Sequence, residues 1–424
     1  MALPFYDRLS APLDPDSCPN IMPTVAKEVV ELQELGIHVS LDDTNSPELL
    51  KPSEQLIADQ NIEAWENIAR TEGPEAAFES FTKEPGLRAW SKQLMRAVAL
   101  HTLYGARKLI TLGQGINPAV FSKPIFDGDK SALDLLADSK KDPEEGEQKA
   151  LRIGASYRDF IETKIDDESR LIFMGCLDGR AVNSRAVTAF NIAVDHIHGE
   201  GSQERDDIRI ASLACGAAGR VYSSFVKGLK DKGHTVERIE LIDKDPMALA
   251  TAYAIADDQP EIQERLGIHV ANLLEPDFLE CIEPKSLHVI DMLGLFEYLP
   301  RNKEEVAAFM KLDPDQLEEG VDYNFAAQLL RRAGTLVKPG GQIIFGNMLN
   351  ERPQQTFFRE VVQWPRLHQR TITEVLGIIS DAGYDMDNVE VKIPANDGVY
   401  GVYAVTLPNT EDGAPAERNL QLVA

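Results

Sequence analysis

Small residues and an acid follow two short apolar runs in the second half of the sequence, in positions that suit a nucleoside ligand. The run 208–213 leads into a turn that contains Ala214 and Gly216, and Asp243 follows the next run, 236–242. Small residues at a strand-to-helix turn let the backbone approach a ligand closely. An acid one strand-and-helix unit further on can accept hydrogen bonds from ribose hydroxyls. Close packing of a helix on a strand requires the same small residues. The turn therefore indicates a ligand site only in combination with Asp243.

Helix capping is the alternative role for Asp243, because a helix is predicted to begin just after it. Asp245 stands directly before Pro246, and this order is typical of an acidic N-cap followed by proline in the first helical turn. We therefore expect Asp245 to cap the helix and Asp243 to serve a ligand.

The third and fourth apolar runs end in residues that extend the predicted site. Asn272 follows the third run, and Met292 and Leu293 stand at the end of the fourth. The carboxyl ends of parallel strands share one edge of a sheet, so these residues should lie near the turn. Glu297 and Tyr298 come next and are candidates to touch a substrate, as a general base or through hydrogen bonds. Their alternative role is helix initiation and packing.

Cationic and aromatic side chains near the predicted crevice could receive an anionic substrate. Two groups flank the predicted strands: Arg180 and Arg185 precede them, and Trp364, Arg366, His368 and Arg370 follow the fifth. His368 is also a candidate acid or base. The alternative is that Trp364 packs on the sheet edge while the cations offset an acidic surface.

The runs that carry these residues alternate with helical or loop stretches, which predicts a parallel sheet. The five runs are 208–213, 236–242, 268–271, 287–292 and 343–345. Two later runs, 389–393 and 399–407, are separated by a turn-rich stretch and predict an antiparallel hairpin. The predicted fold class is therefore α/β, with a doubly wound, Rossmann-like sheet of seven strands.

The first part of the sequence has a helical period instead. Apolar residues recur there at spacings near three and four to about residue 112, and a charged stretch with helix breakers follows over 127–149. We predict four units: a helical N-terminal lid or substrate domain over 1–145, a helical connection over 146–204, the sheet domain over 205–407, and a tail over 408–424.

Two stretches of the sheet domain, "LIDKDPMALATA" and "LVKPGGQIIFGNM", match a known pattern. With them, residues 205–407 resemble the class I S-adenosylmethionine-dependent methyltransferases. In that family the glycine-rich turn holds the methionyl part of the cofactor, the acid after the second strand holds the ribose, and a polar residue after the third touches the adenine. The resemblance implies S-adenosyl-L-methionine as cofactor, with these binding residues: Ala214, Gly216, Asp243, Asn272, Met292 and Leu293.

Some positions depart from the family pattern. Ser212 stands where the family usually has an acid in the first strand, and Ala214 and Ala218 stand where it has flanking glycines. These departures imply that another group holds the methionyl amine, or that the cofactor binds more weakly. The motifs "SLACGAAG", "LIDKD" and "GLFEYLP" are most similar to the branch that forms hydroxy-fatty-acid methyl esters. That similarity implies a small or lipid-like substrate, methylated at a carboxylate or hydroxyl oxygen.

Composition argues against several other classes. The 43 basic and 69 acidic side chains give a net charge of −26, which repels nucleic acid and anionic membrane surfaces. The 4 cysteines form no disulfide or zinc-binding pattern, so we expect no metal site and a cytoplasmic location. No apolar run is long enough to span a membrane.

One other enzyme class is excluded, and two alternatives to O-methylation remain. A nicotinamide dehydrogenase shares the sheet and the ribose acid, but its pyrophosphate needs glycine where Ala214 and Ala218 stand. N-methylation of a peptide or small amine is an alternative within the methyltransferases. A non-catalytic binding protein with the cofactor fold is the alternative from another class. The sequence leaves the oligomeric state open.

Overall fold

The computed structural model describes residues 20–42, 50–83, 122–126, 128–138, 171–172, 175–199, 205–216, 225–256, 259–275, 280–310, 312–362 and 367–409. The strands are β1 (His38–Asp42), β2 (Ile208–Leu213), β3 (Val236–Asp243), β4 (Leu266–Val270), β5 (Leu287–Met292), β6 (Val337–Met348), β7 (Val389–Pro394) and β8 (Tyr400–Thr406). The α-helices are α1 (Pro23–Glu34), α2 (Pro52–Glu72), α3 (Pro74–Phe81), α4 (Ala132–Asp138), α5 (Leu177–Gly199), α6 (Lys227–Asp231), α7 (Pro246–Ile255), α8 (Pro260–Gln263), α9 (Lys303–Met310), α10 (Phe325–Leu336) and α11 (Ile372–Asp381). A π-helix spans Phe357–Val361, and a 3-10 helix spans Phe296–Tyr298.

The strands form one mixed sheet in the order β1-β7-β8-β6-β5-β2-β3-β4. β8 is antiparallel to its neighbours β6 and β7, and the other adjacent pairs are parallel. From β2 the chain proceeds outward to β3 and β4, then returns to form β5 on the other side of β2. The strand order therefore reverses between β2 and β5. Open α/β sheets bind ligands beyond the carboxyl ends of the strands at such a reversal.

The sheet has eight strands, which corrects the predicted seven. The eighth, β1, comes from the N-terminal region and pairs in parallel with β7. α1 accompanies it and buries Val25 and Val29 in the core that β7 and α11 share. Residues 38–42 are thus part of the sheet, and α1 packs on its core.

Side chains that alternate along β2 enter two different cores, one on each face of the sheet. Ala211 and Leu213 lie in the core covered by α1, α10 and α11. Ile208 and Ile210 lie in the core covered by α5, α6 and α7. Ser212 shares the second face because strand side chains alternate. α5, which falls in the predicted helical connection, is therefore a principal cover of the sheet.

α2 and α3 form a third core with the π-helix that follows β6. The rings of Trp65 and Phe81 meet edge to face, with centroids 5.2 Å apart, and Trp65 stacks on Phe357 at 6.1 Å. Glu66 accepts a hydrogen bond from the Phe357 amide at 3.0 Å. Since Phe357 follows the carboxyl end of β6, these two helices lie at the edge of the sheet where ligands are expected.

Part of the charged stretch 127–149 packs against the sheet domain. α4 buries Ala132 completely against Met247 and Ala250 of α7. The apolar face of this short helix therefore anchors it on α7.

Neither a spanning helix nor a metal-ligand cluster occurs in the described ranges. No helix there combines the length and hydrophobicity that crossing a membrane requires. The same ranges hold no group of three or more His, Cys, Asp or Glu side chains placed to bind a metal ion.

Candidate active site

The turn after β2 adopts backbone conformations that favour glycine at two positions. The φ angle is 51° at Ala214 and 56° at Gly216. Between them, Cys215 donates its amide to the carbonyl of Ile242 at 3.2 Å, which ties the turn to β3. A side chain in the left-handed region costs about 1 kcal/mol or more, so Ala214 holds a strained conformation. Ala218 lies outside the described residues.

Asp243 fixes the same turn from the end of β3. Its carboxylate is buried, and its two oxygens accept hydrogen bonds at 2.9 Å from the amides of Gly216 and Asp245. Asp245 in turn accepts the Met247 amide at 2.8 Å as the N-cap of α7, directly before Pro246. The predicted capping role of Asp245 is confirmed. Asp243 contacts the turn after β2 through Gly216.

Asn272 lines an open cavity of about 530 Å³ beside the edge strand β4. Its carbonyl oxygen accepts the Leu274 amide at 3.2 Å, and its amide nitrogen donates to Glu275 at 3.0 Å. Phe126 and Cys281 form other parts of the wall. The cavity therefore joins an aromatic surface to a polar amide near the carboxyl end of β4.

The residues at the end of β5 have different surroundings. Met292 is fully buried in the core with Phe296 and Phe345. Its side chain packs there because it shares a strand face with Ile290, which corrects the prediction that it lies along a cofactor. Leu293 is half-buried and packs against the opposite core.

Arg185, Glu297 and Tyr400 form a buried polar group at the carboxyl edge. Nη1 of Arg185 and the hydroxyl of Tyr400 both donate to Oε1 of Glu297, each at 3.2 Å. The guanidinium carbon of Arg185 lies 4.5 Å from the centroid of the Tyr400 ring. Within the described residues, Oε2 of Glu297 and Nε of Arg185 are buried without a hydrogen-bond partner. Burial raises the pKa of Glu297, although the charge of Arg185 acts to lower it.

Asp291 extends this group onto β5. It is the register partner of Ser212 on β2 and accepts the Ser212 hydroxyl at 2.9 Å. Burial raises the pKa of Asp291 to about 7, while the Ser212 hydrogen bond and the charge of Arg185 act to lower it. The carboxyl group is therefore divided between charged and neutral forms near neutral pH. We call Arg185, Ser212, Asp291, Glu297 and Tyr400 the switch-point cluster.

His368 is hydrogen-bonded to the segment that carries Glu297. Its amide donates to the Glu297 carbonyl at 2.7 Å, and its Nδ1 lies 3.4 Å from Oε2 of Glu305. Burial lowers the pKa of His368, nearby arginines act in the same direction, and Glu305 opposes them. The imidazole is therefore neutral at neutral pH. Tyr298, the next residue after Glu297, is half-buried at the same edge.

Arg370 does not have the substrate-facing position that the sequence predicts. It is 1% exposed, and Nη1 donates to the Phe296 carbonyl and to Asn347 Oδ1, both at 3.2 Å. Nη2 donates to the Leu299 carbonyl at 2.6 Å and to Glu305 at 3.3 Å. A buried guanidinium needs such acceptors, and here the protein supplies them to both terminal nitrogens. Arg370 thus anchors the segment after β5.

The remaining predicted anion-binding residues fall into two groups. Trp364 and Arg366 lie outside the described residues. Arg180 is half-buried on α5, near the buried acid Asp397. Burial raises the pKa of Asp397 to about 6, while the Ser184 hydrogen bond and the charge of Arg180 act to lower it. Arg180 is therefore near a protein carboxyl group in this structure.

Sequence reasoning assigned no role to Asp291 or Tyr400. Asp291 interrupts the fully buried strand Leu287–Met292, and an acid inside such a run is a signal that marks an unusual site. Tyr400 has no comparable local signal. Its contact with Glu297 arises because β8 lies beside β6 in the sheet.

Comparisons with known proteins give distant structural likenesses. No family model matches the sequence, and no curated protein matches it. A possible exported protein from Bordetella parapertussis is 14% identical, with a TM-score of 0.43, over 85% of this chain and 99% of that one. The S-adenosylmethionine-dependent methyltransferase SibL is 15% identical, with a TM-score of 0.39, over 84% of this chain and 95% of that one.

A third solved structure is the magnesium protoporphyrin IX methyltransferase of Synechocystis PCC 6803 with bound S-adenosylmethionine. It is 9% identical, with a TM-score of 0.37, over 66% of this chain and 99% of that one. With TM-scores below 0.5, these likenesses carry no functional argument.

Proposed function

We propose that the protein is an S-adenosylmethionine-dependent methyltransferase that methylates an oxygen of a small or lipid-like molecule in the cytoplasm. One observation carries this proposal: the Gly216–Asp243 contact lies at the carboxyl edge, beside the reversal of a sheet in which antiparallel β8 separates β6 from β7. Ligands of open α/β sheets bind at that place. The resemblance of residues 205–407 to class I methyltransferases supplies the identity of the cofactor.

The side chains at the reversal fit a nucleoside joined to a charged amino acid. Each oxygen of the Asp243 carboxylate has two lone pairs, so it can hold the turn and also accept a ribose hydroxyl. Asn272 and Phe126 give the neighbouring cavity a polar and an aromatic wall for adenine. The unpartnered buried atoms of Glu297 and Arg185 offer an acceptor and a donor for charged groups. The bound cofactor would supply a methyl group activated by a sulfonium.

The protein's own contribution to the reaction is to position the acceptor and remove its proton. We assign proton removal from a hydroxyl to Nε2 of His368, with Nδ1 directed to Glu305. The lowered pKa of His368 keeps it in the neutral form that a base requires. Because the protein's own acceptors occupy Arg370, a hydroxyl acceptor is favoured over a carboxylate. Tyr298 is the second candidate for this role.

The helices α2 and α3 are proposed to cover the substrate. They pack through Trp65 and Phe81 on the π-helix after β6, at the edge where the acceptor would enter. Loops and helices at that edge generally decide which molecules reach a cofactor. This proposal confines the predicted lid to residues outside 20–42, because β1 pairs in the sheet and α1 packs on its core.

Calorimetric titration of the full chain with S-adenosylmethionine tests the proposed function. Wild-type protein should bind it saturably, and Asp243→Asn should weaken binding by about 1.5–3 kcal/mol through loss of charge-assisted hydrogen bonds. Asn is preferred to Ala because its carbonyl oxygen still accepts one of the two amides. Saturable binding by neither protein would reject the cofactor assignment.

A second assay tests catalysis itself. Protein incubated with methyl-labelled S-adenosylmethionine and a metabolite extract should label a small-molecule or lipid fraction. His368→Asn should reduce that transfer by about a hundredfold or more while leaving cofactor affinity unchanged. Binding without any transfer would favour the non-catalytic alternative. Label on nitrogen in the isolated product would favour N-methylation.

A further inference from the structure

The switch-point cluster occupies the reversal of the strand order. Ser212 and Asp291 are directly paired across β2 and β5, the two strands between which the order reverses. Ser212 also lies just ahead of the strained turn that contains Ala214 and Gly216. The cluster is therefore adjacent to the place where the proposed cofactor would approach the backbone most closely.

The charges in this cluster are unbalanced. Asp291 and Glu297 present two carboxyl groups to one guanidinium, that of Arg185, and all three residues are at least nine-tenths buried. Tyr400 adds a donor but no positive charge. An unpaired buried carboxylate is costly unless it is protonated or meets a cation. The arrangement is thus complete only when a proton or a cationic group joins it.

Unpartnered atoms show where such a group would bind. Oε2 of Glu297 and Nε of Arg185 are buried and lack hydrogen-bond partners within the described residues. The absence of a side chain at Gly294 lets the guanidinium lie close to the backbone, because a Cβ there would come within 3.2 Å of Arg185 Nη2. One carboxylate oxygen and one guanidinium N–H of the buried Arg185–Glu297 ion pair are therefore available to a bound group.

A group with one ammonium and one carboxylate matches this set. We propose that the switch-point cluster binds the zwitterionic amino-acid end of S-adenosylmethionine, with Asp291 and Glu297 accepting its ammonium and Arg185 donating to its carboxylate. This assignment rests on the proposed function. The family usually has its acid at the position of Ser212 on β2. This assignment places the acid for the methionyl amine on the neighbouring strand β5, at Asp291.

Two nucleosides that differ in the amino-acid end test the assignment on the full chain. S-Adenosylhomocysteine carries that end, and 5′-methylthioadenosine lacks it. Asp291→Asn should weaken binding of S-adenosylhomocysteine by about tenfold or more, as expected for a lost charged hydrogen bond, and change methylthioadenosine binding by less than about twofold. Glu240→Gln is the matched control, because it neutralises another buried strand carboxylate outside the cluster and should leave the ratio of the two affinities unchanged.

The outcomes separate this inference from the proposed function. Equal weakening of both nucleosides by Asp291→Asn would overturn the amine assignment, as would unchanged binding of S-adenosylhomocysteine. Failure of the wild-type protein to bind either nucleoside would overturn the proposed function itself.

A second measurement needs no variant. Protonation of Asp291 removes the charge that receives the ammonium, so the preference of wild-type protein for S-adenosylhomocysteine over methylthioadenosine should fall as the pH is lowered through about 7. The charged group that acts on Asp291 is Arg185 from α5, and Ser212 from β2 donates its hydroxyl; Arg185 is in turn paired with Glu297. A preference that is constant or grows as the pH falls would contradict the assignment.

Discussion

Asp291→Asn should stabilise the folded protein at alkaline pH, although it alters a buried and hydrogen-bonded side chain. Asn has nearly the same shape, and its carbonyl oxygen can still accept the Ser212 hydroxyl, which lies 2.9 Å from the carboxylate. The substitution removes the charge, and burial of that charge is the main cause of the raised pKa of Asp291. The change in stability therefore measures what it costs to keep a carboxylate at this position.

The magnitude follows from the pKa of Asp291, which burial raises from 3.8 to about 7. Because the folded-state pKa lies above the unfolded value, folding takes up a proton between them. The resulting stability is fully present below a pH of about 4 and is lost as the pH rises through about 7. At about 1.4 kcal/mol per pKa unit, the loss reaches about 4 kcal/mol above that range. The Asn variant does not titrate there, so its free energy of unfolding should rise relative to wild type across this window.

Urea unfolding at a pH of about 5.5 and again at about 8.5 measures this difference. The difference in free energy of unfolding between Asp291→Asn and the wild type should shift by about 2 kcal/mol in favour of the variant from the lower to the higher pH. Glu240→Gln should behave in the opposite sense and be less stable than wild type at both. Burial alone would raise the pKa of Glu240, but hydrogen bonds from His269 and Arg238 lower it, so its charge is stabilising. If Asp291→Asn is less stable than wild type at both pH values, the carboxylate is a structural anchor and the reasoning fails.

Three further predictions concern the turn, the anchor of the β5 segment and the lid. Ala214→Gly should stabilise the protein by about 1 kcal/mol in thermal melts, since its φ of 51° favours glycine, whereas Ala254→Gly within α7 should destabilise it by about as much. Arg370→Lys should lower the free energy of unfolding by about 2–4 kcal/mol, because an ammonium does not reproduce the planar donors that reach several carbonyls; unchanged urea unfolding would contradict its anchoring role. Trp65→Ala should speed proteolysis of α2 and α3 without changing S-adenosylhomocysteine affinity, and a loss of that affinity would count against a lid.

The sheet could be predicted from sequence wherever its strands are buried on both faces. The runs 208–213 and 287–292 coincide with β2 and β5 because a strand covered on both sides needs nearly continuous apolar side chains. This rule could not predict β1. It is a five-residue edge strand with only Val39 buried, and its partner β7 lies near the other end of the chain. Its short pattern is indistinguishable from a loop between two helices.

The candidate site was predictable where local rules decide it. Asp245 caps α7 because an acid before proline satisfies the first amides of a helix, and Asp243 meets the turn because adjacent parallel strands end at one edge. Arg370 was not predictable in this way. Its acceptors come from the segment after β5, from β6 and from α9, and no local pattern separates such an arginine from one at a surface.

The switch-point cluster also changes the role of the helix that precedes the sheet domain. α5 covers one face of the sheet through Phe190 and Ile197, and the same helix brings Arg185 to the carboxyl edge. The charge of Arg185 acts on both Glu297 and Asp291, two buried carboxyl groups of the kind that a folded chain stabilises with a cation. The acid on β5 and the arginine on α5 therefore depend on each other. We propose that the cofactor-binding unit includes α5, which the sequence assigns to the connection before residue 205.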